Sequence, residues 1–218
     1  MRQITTIAAG AALAGLTACG TSEEEGTMGG DLGALMDPAG AEMTQEAPAT
    51  FRARFETTKG TFVVEVERRL APRGADRFYN LVRHGYYNGT KLFRVIPGFV
   101  VQWGMSGNPA LSEVWNQARI PDDPVIASNL PGTITFAMAG PNTRTTQLFI
   151  NYKNNAHLDR DGFSPFGRVV EGMEVVESFN AEYGATPANN QQRIGAEGDA
   201  FLEKHFPNLD AILSATIE

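Results

Sequence analysis

A mainly β, antiparallel fold is what this chain of 218 residues predicts, and three observations point to it. Phe62, Val64 and Val66 alternate with Thr61, Val63, Glu65 and Glu67, the two-residue period of a strand with one buried face. Short apolar and β-branched runs recur along the chain, and the 23 Gly and 12 Pro suit many turns better than a helical bundle. Helical spacing is clear in only two stretches. Many short strands with two or three helices make an antiparallel barrel or sandwich.

The chain opens on Met1-Arg2-Gln3 and then an apolar, Ala- and Gly-rich run from Ile4 to Leu16. That run is short for a bilayer span and suits the apolar part of a secretory signal. It ends in Leu16-Thr17-Ala18-Cys19-Gly20, which resembles the lipobox of bacterial lipoproteins. The resemblance implies a lipoprotein signal peptide over residues 1–18, cut so that Cys19 becomes the lipidated first residue. The plain alternative is an ordinary signal cleaved after Ala18. The chain has 1 Cys, and a free thiol elsewhere would be a liability after export. Gly20 in place of Asp implies outer-membrane sorting, if the cell has an outer membrane.

Residues 19–49 hold seven acidic side chains, no Lys or Arg, and few large apolar groups. Such a composition predicts a flexible acidic tether that holds a domain off the membrane. From Thr50 to Glu218 there are 17 basic and 18 acidic residues, so the net charge of −7 belongs mostly to the leader. No basic face is available for nucleic acid.

Residues 50–218 read as one domain. Phe51–Phe55 and Thr61–Glu67 are strands around the turn Thr58-Lys59-Gly60. Pro72 to His84 is a helix: Pro72 suits its first turn, and Phe78, Leu81 and Val82 fall on one side before Gly85. Lys91–Pro97 and Phe99–Trp103 are strands broken by Pro97-Gly98. Gly132–Ala139 and Thr146–Asn151 are another pair, joined by Gly140-Pro141-Asn142-Thr143. Gly162–Val170 adds a strand, Glu171–Phe179 a second helix, and Ala211–Ile217 closes the sheet. His84, His157 and His205 are scattered, and one Cys cannot build a zinc framework, so no metal or cofactor is expected.

Four segments carry a resemblance. They are Lys91-Leu-Phe-Arg-Val-Ile-Pro-Gly-Phe-Val-Val-Gln102, Phe136-Ala-Met-Ala-Gly-Pro-Asn-Thr143, Thr146-Gln-Leu-Phe-Ile150 and Phe166-Gly-Arg-Val-Val-Glu-Gly-Met173. In this order and spacing they resemble the cyclophilin family of peptidyl-prolyl isomerases, over roughly Thr50 to Phe179. The resemblance implies a closed eight-stranded antiparallel barrel capped by two helices, with the substrate groove on its outside. It assigns Arg94 and Gln102 as catalytic residues, and Phe99, Val100, Phe149 and Leu158 to the proline pocket. Ala137 and Met138 would offer backbone groups, Gln147 a further polar contact, and His157 would flank the groove. The plain alternatives are a surface salt bridge for Arg94 and ordinary core for Phe99 and Phe149.

Five departures from the family pattern stand out. Phe93 takes the place of a His common beside the Arg, and Met138 that of an Asn. Trp103-Gly104-Met105 follows Gln102 where Gly-Gly-Asp is usual, which predicts a reshaped turn. His157 replaces a groove Trp of eukaryotic members, and this implies weak binding of the inhibitor cyclosporin. A further family His aligns with Phe163.

The implied protein is a lipid-anchored, extracytoplasmic isomerase of the cell envelope, a monomer acting on X–Pro bonds of unfolded or exported polypeptides. The alternative is a membrane-tethered module that binds proline peptides without turnover.

Overall fold

The computed structural model describes Met1 and residues 31–218. The signal sequence, Cys19 and the first part of the expected tether lie outside the described residues.

Alternation builds the first hairpin. β1 (Thr50–Thr57) and β2 (Gly60–Glu67) pair along their whole length, from Thr50 opposite Glu67 to Thr57 opposite Gly60. Phe51, Ala53 and Phe55 then join Phe62, Val64 and Val66 in the core. Gly60 turns the chain at φ +132°, and Thr57 Oγ1 donates to its carbonyl at 2.7 Å.

Six further strands complete one antiparallel sheet: β3 (Arg94–Ile96), β4 (Val100–Trp103), β5 (Thr133–Phe136), β6 (Leu148–Asn151), β7 (Pro165–Glu171) and β8 (Ile212–Ile217). Their order is β3-β4-β6-β5-β7-β2-β1-β8. The expected closed barrel is therefore corrected: the sheet is an open half-barrel whose edges are β3 and β8. Between the edges stands one isolated bridge, Lys91 with Ala211, and the flanking bond from Leu92 N to the Asp210 carbonyl is 2.8 Å. β3 has three residues, and its Val95 N–H donates to the Gly184 carbonyl at 3.2 Å. That edge is occupied before it can meet β8.

Aromatic rings fill the inner side of the sheet. Phe55 and Phe62 stack with centroids 4.8 Å apart, and Trp103 meets both edge-on at 6.0 and 6.5 Å. α2 (Pro72–Arg83) covers this cluster with Phe78, Leu81 and Val82, and Gly85 (φ +71°) follows its end. The second expected helix is the shorter α4 (Met173–Glu177).

The two-helix cap is also corrected, because six α-helices lie among the described residues. α3 (Pro109–Gln117) starts where the Asn108 side chain accepts from Ala110 N at 3.0 Å, and it buries Leu111 and Trp115 one turn apart. α5 (Gln191–Glu197) and α6 (Asp199–His205) meet at Gly198 (φ +61°). Their Ile194, Phe201 and Leu202 form a second small core with Phe93 and Phe206.

α1 (Leu32–Leu35) lies in the stretch expected to be tether, and residues 31–49 are packed on the domain. Leu35, Met43 and Ala47 are buried. Trp115 Nε1 donates to the Leu35 carbonyl at 2.8 Å, and Asn80 Nδ2 to the Gln45 carbonyl at 2.8 Å. Three spaced apolar side chains are too few to fold a segment alone. They suffice to lay it against a surface already formed.

Candidate active site

The β3–β4 hairpin frames the site. Gly98 makes its turn at φ +67°, with Phe99 N donating to the Ile96 carbonyl at 2.9 Å. Strand register then places Arg94 opposite Gln102, Gln102 opposite Phe149, and Phe149 opposite Thr135. Residues directly opposite in a sheet share a face. One row across four strands therefore carries a guanidinium, an amide and an aromatic ring.

Arg94 Nη1 donates to Gln102 Oε1 at 3.0 Å, and its Cζ lies 5.5 Å from the Phe99 ring centroid. Its partner is thus an amide, which leaves the positive charge uncancelled. Burial lowers the Arg94 pKa, but a guanidinium starts so far above neutrality that it stays protonated.

Beside it lies a cavity of about 230 Å³, lined by Arg94, Phe99, Val100, Gln102, Ala137, Met138, Phe149, Leu158, Phe163 and Gln191. Phe163 meets Phe149 edge-on at 5.6 Å. A second cavity of about 260 Å³ adjoins across Gln102, Ala137, Met138 and Gln191, and Asn116, Arg119 and Gln147 are among its other walls. A small apolar ring fits the first space, with cationic N–H donors at its rim.

Two of the expected residues stand apart from that first cavity. Gln147 lines the second one and accepts from Gln102 Nε2 at 2.9 Å. His157 is exposed and stacks on Phe99, with centroids 6.3 Å apart and planes 17° from parallel. The N–H of Ala137 is taken by the Gln147 carbonyl at 2.9 Å, so a bound chain cannot use it.

The loop carrying Leu158 is held from below. Asn155 Nδ2 donates to the Phe99 carbonyl at 3.0 Å, tying the loop to the β3–β4 turn. Asp159 Oδ1 accepts from the backbone and side chain of Asn129 at 2.9 and 2.8 Å. Burial acts to raise the Asp159 pKa, yet the hydrogen bonds from Ser128 and Asn129 outweigh it and hold the carboxyl below its usual range.

The turn after β4 shows what Trp103-Gly104 does. Trp103 is the last residue of β4 and points into the core, while Gly104 takes φ +103°. A Cβ at Gly104 would stand 2.5 Å from the Thr146 carbonyl oxygen, so glycine permits the close approach of these two chain segments.

Gln191 and Phe163 were absent from the expected site. Phe163 had a signal, its alignment with a family His. Gln191 had none, since it comes from the short helix α5, far from every motif.

Comparison with known proteins bears on the family and the fold. The family model for cyclophilin type peptidyl-prolyl cis-trans isomerase/CLD matches residues 52–196. A peptidyl-prolyl cis-trans isomerase-like 2 of Gibberella zeae is 34% identical over 178 residues, which are 80% of this chain and 30% of that protein. The chain thus spans under a third of that relative's length. Peptidyl-prolyl cis-trans isomerase A of Dickeya dadantii is 36% identical over 129 residues, 57% of this chain and 68% of that one. The crystal structure of a Cryptosporidium parvum cyclophilin type peptidyl-prolyl cis-trans isomerase shares the fold. Its TM-score is 0.57 at 20% identity, over 78% of this chain and 98% of its own.

Proposed function

The chain belongs to the cyclophilin-type peptidyl-prolyl cis-trans isomerase family, and from that premise we propose that Arg94, at the rim of the Phe99–Phe149 cavity, catalyses rotation about X–Pro bonds. The observation that carries this is the Arg94–Gln102 hydrogen bond beside a cavity of about 230 Å³ walled in part by Phe99, Phe149 and Leu158.

Rotation about a peptide bond costs about 18–20 kcal/mol because the C–N bond is partly double. At X–Pro both isomers are populated, yet they exchange only over tens to hundreds of seconds. Phe99, Phe149 and Leu158 hold the proline ring still. The preceding carbonyl then turns, and the amide nitrogen becomes pyramidal and regains its lone pair. A guanidinium N–H aimed at that nitrogen stabilises the twisted form more than either planar one, and only such a differential contact raises the rate. Gln102 fixes the guanidinium in place through its oxygen, leaving other Arg94 donors for the substrate.

Support for a proline ligand also comes from a relative: the Cryptosporidium parvum isomerase has a crystal structure in the presence of the dipeptide Ala-Pro. For this chain the substrates are proposed to be exported polypeptides, met at the membrane through a lipid on Cys19. The Leu16–Cys19 sequence supports that placement.

Two measurements test the proposal. Exchange spectroscopy on an X–Pro peptide with the purified protein should show catalysed cis–trans interconversion; binding without faster exchange would leave a proline-peptide-binding module. Cys19→Ala should move the protein out of the detergent phase, and unchanged partitioning would remove the anchor.

A further inference from the structure

A chain of side-chain hydrogen bonds runs from Arg94 to a residue outside every family motif. Arg94 Nη1 donates to Gln102 Oε1 at 3.0 Å, Gln102 Nε2 to Gln147 Oε1 at 2.9 Å, and Gln147 Nε2 to Gln191 Oε1 at 2.9 Å. Its direction is chemically forced. A guanidinium has donors and no acceptor, so Gln102 must turn its oxygen to Arg94 and has only its NH2 left for Gln147. The same reasoning orients Gln147 toward Gln191. One cation sets three amides, and the last acceptor holds the free end.

Gln191 can serve as that end because its helix is fastened to the strand bearing Arg94. Phe93, next to Arg94, is buried among Ile194, Phe201, Leu202 and Phe206. Val95 N donates to the Gly184 carbonyl at 3.2 Å. Two attachments, one on each side of Arg94, tie residues 181–206 to β3. Gln191 also stands on the ridge shared by the two cavities.

We propose that Gln191 is a positioning residue of the isomerase, which acts on Arg94 through Gln147 and Gln102. Without its oxygen the Gln147 NH2 loses its acceptor and that carboxamide is free to rotate. Gln102 Nε2 then loses its fixed partner, and the Gln102 oxygen no longer has one orientation to offer the guanidinium. This role rests on the reading of Arg94 as the catalytic guanidinium.

The test uses Gln191→Met, which keeps the side chain's length but has no comparable acceptor, and Gln191→Glu, which keeps an oxygen at the same reach. Gln191→Met should lower kcat on an X–Pro peptide three- to tenfold with KM within twofold. Gln191→Glu should recover the wild-type kcat to within threefold. In an Arg94→Ala background, Gln191→Met should add no further loss. A rise in KM alone, equal damage from both variants, or a full additional loss in the Arg94→Ala background would overturn the proposal. The side-chain amide resonances of Gln102 give a readout independent of turnover. They should shift in Gln191→Met and stay near their places in Gln191→Glu. If the wild type shows no isomerisation, it is the assigned reaction that has failed. The hydrogen-bond relay is then judged on those resonances, and unmoved Gln102 signals in Gln191→Met overturn it.

Discussion

Phe93 and Arg94 are neighbours in the chain and serve opposite sides of the same strand edge. The Phe93 ring is 1% exposed within the small core of α5 and α6, while the Arg94 guanidinium lies over the Phe99 ring at the cavity rim. The position where the resemblance expects a His is used here to anchor α5 and α6. Phe93→Ala should cost about 3–5 kcal/mol, the usual range for removing a buried Phe. Denaturant unfolding measures it. A cost under about 1 kcal/mol would mean that α5 and α6 are held by other contacts.

Arg94→Ala should leave the fold intact and remove most turnover. A hundredfold loss in kcat corresponds to about 2.7 kcal/mol of transition-state stabilisation. Peptide affinity should fall far less, since the apolar walls remain. Activity equal to wild type would exclude the role given to this guanidinium. A parallel fall in affinity and rate would favour the binding-module reading.

His157 lies flat against Phe99 from the solvent side, outside the cavity that Phe99 lines. An indole there would cover more of that ring and offer one N–H that is not ionised near neutral pH. His157→Trp should therefore tighten cyclosporin while changing isomerisation little. Inhibitor titration of both proteins decides the matter, and tight inhibition of the wild type would contradict it.

Asp159 ties the Leu158 loop to Asn129, and its folded pKa lies below the ordinary carboxylate value. A depressed carboxylate pKa gives stability that is present above the unfolded pKa, about 3.9, and disappears as pH falls through the folded value. The loop should therefore loosen in acid from that point downward. Amide exchange of residues 155–162 in wild type and Asp159→Asn measures it. The variant should be faster at neutral pH and less sensitive to acid; identical acid profiles would refute the role.

Much of this molecule could be read in one dimension, and the exceptions share a cause. Phe62, Val64 and Val66 declare a strand by period alone. Arg94 and Gln102 are seven residues from being adjacent, yet a short hairpin makes them partners, so a local motif captures both. α3 carries local signals of its own, Asn108 and Pro109 ahead of Leu111 and Trp115. Residues 181–206 have weaker ones: polar, in helices of seven residues, with Ile194 and Phe201 joining a core that includes the distant Phe93. Leu35 similarly looks idle until Trp115 is set beside it. The open seam depends on Gly184 taking the Val95 N–H, a contact no pattern in either segment announces.

The two tryptophans of the chain occupy different electrical surroundings. Trp103 is buried against Phe55 and Phe62 with no oxygen or nitrogen partner for its Nε1. Trp115 donates to the Leu35 carbonyl and has the Arg77 guanidinium 4.9 Å from its ring centroid. Their fluorescence should therefore respond to different events, because the two rings have different neighbours. Trp103 reports on the inside of the half-barrel, and Trp115 reports on whether residues 31–49 remain laid across it. Replacing either indole by Phe would turn the protein into its own single-channel optical gauge, one for the core and one for the N-terminal strap.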